Sequence, residues 1–145
     1  MIQNQLNAEV DTVRLDLPAI QKYASILSPS LEAILDGVSD SLGEKILHRI
    51  QLALYEACTN IIKHAYKGKQ HPDNRIEIIL AVEKDTKQLM VDIYDTGESF
   101  DIAKIQPPEN KQEHGWGLFL IKGIMDKVAY TPTENGNHWH LVKKL

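Results

Sequence analysis

The sequence predicts an α+β fold: a two-layer sandwich in which a mixed, mainly antiparallel sheet carries its helices on one face. Three observations lead there. One long stretch in the middle of the chain has strong helical periodicity. Two separate hairpin patterns imply antiparallel pairing. Helical and strand-like segments are mixed along the chain rather than divided by a linker.

The elements follow in order. Val13, Leu15 and Leu17 alternate with Arg14 and Asp16, a strand ended by Pro18. From Ala19 to about Leu42 the apolar spacing turns helical, through Ile20, Tyr23, Ala24, Leu27, Leu31, Ile34, Leu35 and Val38. Pro29 interrupts it. Proline is tolerated in a first helical turn, so Ser28 is expected to cap a second helix that Pro29 starts. Gly43 marks a break. Ile46, Leu47, Ile50, Ala53, Leu54, Ala57, Cys58, Ile61, Ile62 and Ala65 then hold the i, i+3, i+4, i+7 rule, which makes this the clearest helix. The polar stretch Gly68–Asn74 ends it. Ile76, Ile78, Leu80 and Val82 form one strand and Leu89, Val91 and Ile93 the next, joined by a turn at Lys84–Lys87. Both strands have two partly apolar faces, so both belong inside a sheet. Gly97–Gly115 reads as a loop, longer than most connections in a compact domain. Gly117–Lys127 returns to helix, with Leu118, Ile121, Ile124 and Met125 on one face. Val128–Thr131 and Trp139–Lys143 close the chain as a hairpin around Glu134-Asn135-Gly136-Asn137.

Composition bounds the function. A chain of 145 residues is read as one domain, 1–145, large enough for a core without staples. The formal net charge is -4, with no broad basic excess, which argues against general binding to a nucleic-acid backbone. No apolar run approaches the length of a membrane span. Met1–Asp11 is polar, unlike a signal peptide. The single cysteine, Cys58, allows no internal disulfide and is simplest as a small core residue. The expectation is a cytoplasmic protein with neither membrane nor nucleic acid as partner.

Three local patterns carry chemistry. Glu56 and Asn60 lie four apart on the strong helix, one turn from each other on the same face. Asp95-Thr96-Gly97 directly follows a strand. Gly115-Trp116-Gly117 follows the long loop and opens a helix. Each alone has a plain structural explanation: a solvated helix edge, a turn, and helix punctuation. Their combination, in this order and with these intervening elements, is far more specific.

Together they resemble the GHKL ATPase/kinase superfamily, and most closely its RsbW-type anti-sigma-factor serine kinases. Glu56-Ala57-Cys58-Thr59-Asn60-Ile61-Ile62-Lys63-His64-Ala65-Tyr66 is similar to that branch's Asn-containing box. Tyr94-Asp95-Thr96-Gly97-Glu98-Ser99-Phe100-Asp101 is similar to its Asp-x-Gly-x-x-Phe-Asp segment. Gly115-Trp116-Gly117-Leu118-Phe119-Leu120-Ile121, followed by Met125-Asp126-Lys127-Val128, is similar to its last box. The resemblance runs from about Leu52 to the C-terminus and implies the GHKL (Bergerat) form of the sandwich.

What the resemblance implies for the residues is chemically coherent. Asp95 would accept a hydrogen bond from the adenine amino group, because an ionised carboxylate is acceptor-only. Gly97 would let the backbone approach the base. Asn60 would offer its side-chain oxygen to Mg²⁺, which favours hard oxygen ligands and completes its shell with phosphate and water. Gly115, Trp116, Gly117 and Leu118 would form the nucleotide-binding helix start, with backbone N–H groups on phosphate. Glu56 would act as general base. The Gly97–Gly115 loop becomes a lid, with Phe100 anchoring its root and Lys104 and Lys111 available to lend charge. His114 and Trp116 depart from the family's usual small and aliphatic residues at those positions.

The resemblance therefore implies an ATP- and Mg²⁺-dependent serine/threonine protein kinase that is also an anti-sigma factor. Its partners would be a sigma factor and a small STAS-type antagonist that it phosphorylates on serine, and it would be a homodimer. The alternative is an ATP-binding module that sequesters its partner without kinase activity; an intact Glu56 favours the kinase. The catalytic domain of a two-component histidine kinase or of a larger ATPase is a third reading, disfavoured because 145 residues leave no room for a phosphoacceptor-histidine dimerisation helix pair or a transducer domain. His64, one turn beyond Asn60, reads as structural. His138 and His140 point the same way on a strand, a spacing that suits zinc. With no Cys, Asp or Glu nearby in sequence, they read as surface imidazoles.

Overall fold

The computed structural model describes residues 10–38, 43–100 and 116–145. Strand β1 (Val10–Pro18) leads through a 3₁₀ helix (Gln21–Ile26) into α1 (Leu27–Leu35). Helix α2 (Glu44–Asn60) continues into a π-helical turn (Ile61–Ala65). The hairpin β2 (Arg75–Glu83) and β3 (Gln88–Asp95) follows, then α3 (Trp116–Ile124), β4 (Lys127–Thr133) and β5 (Gly136–Lys144).

The strands form one sheet in the order β1-β2-β3-β5-β4. All four pairings are antiparallel. The last hairpin thus docks through its second strand, which puts β5 beside β3. Cross-strand rows explain the two faces, because side chains alternate with period two. Leu15, Ile78, Ile93 and Trp139 stand in one row, and Val13, Leu80, Val91 and Leu141 in the next but one. These rows face the helices, and their β2, β3 and β5 members are fully buried. The row between them, Arg14, Ile79, Asp92 and His140, faces away.

Helix α2 supplies the facing layer. Ile50, Ala53, Leu54, Ala57 and Cys58 are buried on it, and Ile61, Ile62 and Ala65 extend the stripe through the π turn. Burial pushes the Cys58 thiol up to about 12, so it is inert packing, as its apolar position suggested.

Two boundaries differ from the sequence reading. Ser28 does not cap α1. The helix begins at Leu27 with no side-chain cap, because the 3₁₀ helix runs straight into it and the Leu27 N–H already bonds Ala24 O. Pro29 does sit in the first turn. The helix expected over Gly117–Lys127 ends at Ile124. Sheet bonding wins at its end: the Asp126 N–H donates to Val142 O at 2.8 Å, and Lys127 pairs with Val142 in β4.

Candidate active site

Glu56 and Asn60 project from the last turns of α2, as their spacing of four requires. The π turn that follows widens the helix at its C-terminal end, a distortion common at functional sites. It leaves the Ala65 carbonyl without an intrahelical partner, and the Glu98 N–H donates to it at 2.8 Å. This bond ties the end of the helix to the turn after β3. Gly97 has no room for a side chain there. A Cβ on it would run into the Ala65 carbonyl group and lie 2.7 Å from the Ala65 Cβ. The structure thus supplies a packing reason for this glycine that the sequence did not show.

Asp95 ends β3 and is buried. Its Oδ1 accepts from the Gly97 N–H at 2.9 Å and from Asn137 Nδ2 at 2.8 Å. Its Oδ2 is buried and has no partner among the described residues. A buried acceptor left unpaired costs roughly 1–3 kcal/mol. Burial pushes the Asp95 carboxyl above its ordinary value, opposed by the two N–H bonds. The Asn60 Nδ2 is also buried and unpaired among the described residues, so this amide nitrogen is not spent on a structural bond.

Gly117, in the first turn of α3, closes the arrangement. A Cβ there would lie 2.6 Å from Glu56 Oε2 and 3.5 Å from Asn60 Nδ2. A side chain there would push the Glu56 carboxylate aside, while the Asn60 amide stands at ordinary contact distance. The Glu56 carboxylate lies at the N-terminal end of that helix, where negative charge is favoured. Leu118 is buried in the core and fixes the helix start. Trp116 opens α3. The Trp116 side chain, Gly115, His114, Lys104 and Lys111 lie outside the described residues, as does all of the expected lid beyond Phe100.

The Gly117 contact makes a sharp expectation. The clashing atom is the end of a flexible side chain, so Gly117→Ala should fold with a Tm near wild type. If Glu56 is the general base that the sequence resemblance implies, displacing it should still lower phosphoryl transfer, by about 10-fold or more. Thermal melts and transfer rates on the same samples check this.

Several supporting residues were not singled out from sequence. Asn137, almost fully buried, gives its amide N–H groups to Asp95 Oδ1, Gly97 O at 3.2 Å and Glu98 O at 3.1 Å. Its Oδ1 accepts from the Ser99 hydroxyl. One asparagine therefore braces the whole turn. Tyr66 does the same from the other side: its hydroxyl donates to Arg75 O at 2.6 Å and accepts from the Thr96 N–H at 3.0 Å. Tyr66→Phe would leave both backbone groups unpaired, and we expect a loss of about 1–3 kcal/mol in denaturant unfolding. The only positional signal was that Tyr66 closes the first motif. Phe100 packs against His64, Tyr130 and Trp139, with ring centroids 5.3, 4.8 and 5.9 Å away, and anchors the lid root as expected. Partial desolvation, with Lys63 beside it, holds the His64 imidazole below its ordinary pKa.

Comparison with known proteins gives the family. The family described as the histidine kinase-like ATPase domain matches residues 18–143. The chain belongs to the histidine kinase-like ATPase domain family. Its sequence is 30% identical over 135 residues to the serine-protein kinase RsbW of Bacillus pumilus, covering 85% of this chain and 80% of that protein. It is 32% identical over 130 residues to the serine-protein kinase RsbW of Oceanobacillus iheyensis, covering 81% and 77%. These relatives place this ATPase-family member among the serine/threonine-protein kinases. Solved structures agree on the fold. The RsbU and RsbW domains of Rv1364c from Mycobacterium tuberculosis align with a TM-score of 0.66 at 16% identity, over 93% of this chain and 32% of that one. The histidine kinase domain of the Erythrobacter litoralis EL346 blue-light activated histidine kinase aligns with a TM-score of 0.56 at 16% identity, over 88% and 61%. No described helix is long and apolar enough to cross a membrane.

Proposed function

We propose that residues 1–145 form one Mg²⁺-ATP-dependent kinase domain that phosphorylates a small STAS-type antagonist on serine and sequesters a sigma factor. The observation that carries the reading is the packing of the α3 start on both Glu56 and Asn60. It puts a carboxylate, an amide and a helix N-terminus side by side, the set that phosphoryl transfer needs for positioning and charge stabilisation.

The distances along the chain suit a nucleotide. From Ala65, which touches the Gly97 turn, back to Glu56 is roughly 13 Å at 1.5 Å per helical residue. That separates a base-binding end at Asp95 from a phosphate end at Glu56. Bound Mg²⁺-ATP supplies the transferable phosphoryl group and a metal that neutralises its charge. Asp95 Oδ2 takes the adenine amino hydrogen bond, which satisfies its unpaired lone pairs. Asn60 offers its amide oxygen to Mg²⁺. Gly115, Trp116, Gly117 and Leu118 present backbone N–H groups to phosphate. Glu56 takes the proton from the incoming serine hydroxyl.

The protein would act in the cytoplasm as a homodimer, on protein partners rather than nucleic acid. The alternation between partners gives the test. A candidate sigma factor should be retained by the ATP-loaded protein, be displaced by unphosphorylated antagonist, and stay bound when the antagonist carries phosphoserine. Equal displacement by both antagonist forms would refute partner switching.

A further inference from the structure

We propose that the face of the sheet opposite the helices carries a binding site for a divalent transition ion of the zinc type, formed by Asp92, His138 and His140. The sequence left the two histidines without a third ligand. The fold supplies one from another strand. Asp92 of β3 is the register partner of His140 of β5, and His138 pairs with Tyr94, one step along the same face. Their neighbours Val91, Ile93, Trp139 and Leu141 are fully buried toward the helices. All three candidate ligands therefore project from the opposite side of the sheet from Glu56 and Asn60.

The geometry is close to a coordination set. His138 Nε2 and His140 Nδ1 each lie 2.7 Å from the same Asp92 oxygen, Oδ1. The three ligand atoms lie within 4.8 Å of one another. A tetrahedral ion with metal–ligand bonds near 2.1 Å holds its ligands about 3.4 Å apart. Reaching that from 2.7 Å takes a side-chain adjustment of under about 1 Å. The side chains are 25–30% exposed, so an ion can enter from solvent. Imidazole with carboxylate suits zinc-type ions rather than Mg²⁺.

The chemistry of the contacts supports exchange with a metal. With neutral rings, one carboxylate oxygen accepts two hydrogen bonds only if His138 carries its proton on Nε2 and His140 on Nδ1. On coordination each ring moves that proton to its other nitrogen, and the freed lone pairs and the carboxylate bind the ion with no net proton release. The site is also preorganised. β3 and β5 both lie inside the sheet, and the Tyr94 ring stacks on His138 at 4.3 Å and 6°, which fixes the imidazole plane. Three protein ligands leave the fourth position open.

The test is Zn²⁺ titration of the full chain, carrying no histidine tag, by calorimetry, with Co²⁺ absorption to report tetrahedral geometry. The result expected is one site per chain on Asp92, His138 and His140. The double variant His138→Gln/His140→Gln should weaken it by about 100-fold and Asp92→Asn by about 10-fold. ATP binding by these variants, measured in parallel, reports that they remain folded. Asn60→Ala should leave Zn²⁺ affinity unchanged, which separates this site from the nucleotide metal. Wild-type affinity weaker than about 1 mM would overturn the proposal. Binding that survives the double histidine substitution would overturn it equally, by assigning the ion to other histidines.

Discussion

Asp95→Asn should weaken nucleotide binding by roughly 100-fold or more. The substitution keeps size and shape but replaces one acceptor oxygen with a donor. In the native protein Oδ1 accepts from both Gly97 N–H and Asn137, and Oδ2 is buried without a partner among the described residues. If the new amide nitrogen takes the Oδ1 position, it meets two donors. If it takes the Oδ2 position, it meets the adenine amino group. Either orientation forfeits a charge-assisted hydrogen bond and buries an unpaired donor. Together these cost at least about 3 kcal/mol, or roughly 100-fold in Kd. Calorimetric titration with ATP and with GTP checks it. Wild type should prefer ATP strongly, and the variant should lose both the affinity and the preference.

The same carboxyl sets a pH dependence. Burial raises its pKa, against the opposing bonds from Asn137 and Gly97. Both N–H groups occupy Oδ1, so the proton taken up on acidification sits on Oδ2. At the proposed adenine contact, that converts the acceptor into a donor. Nucleotide binding then requires release of the proton. Affinity should be level above the raised Asp95 value and fall as pH drops through it, approaching one proton per ATP. An affinity that is flat or rises on acidification would contradict the assignment.

Glu56→Gln should separate binding from chemistry. Glu56 touches the start of α3, at the proposed phosphate end. Glutamine preserves the shape against Gly117 but cannot take a proton. ATP affinity should stay within a few-fold of wild type, while transfer falls by about 10²–10⁴-fold, the usual worth of a positioned general base. Sigma-factor retention should persist, because the variant still binds nucleotide. A variant with near-normal transfer would remove Glu56 from the mechanism and return the helix face to packing.

Much of this architecture was legible because it is written in local periodicity. The 3.6-residue repeat from Ile46 onward specified α2 but not the π turn over Ile61–Ala65, and alternation around Lys84–Lys87 specified β2 and β3. Glu56 and Asn60 were readable as a pair because helix geometry alone brings residues four apart together. What remained hidden depends on contacts between distant residues. Asn137 looked like one polar residue in a turn, yet it reaches Asp95, 42 residues away, and is almost fully buried. The tightness at Gly97 comes from Ala65 across the interlayer space, which no local pattern encodes. His138 and His140 lacked a third ligand until register set Asp92 opposite them. Ser28 misled because its local capping signal was overridden by the 3₁₀ helix that precedes α1.

The central claim is that this chain transfers the γ-phosphoryl group of ATP to a serine on a separate protein. Intact-mass and peptide mass spectrometry on a STAS-type antagonist, incubated with Mg²⁺-ATP and this protein, tests it most directly. The account predicts a single phosphoserine on the antagonist with wild type and none within the same time with Glu56→Gln. An antagonist that stays unmodified while ATP is demonstrably bound, or phosphate found on a histidine of this chain, would contradict it.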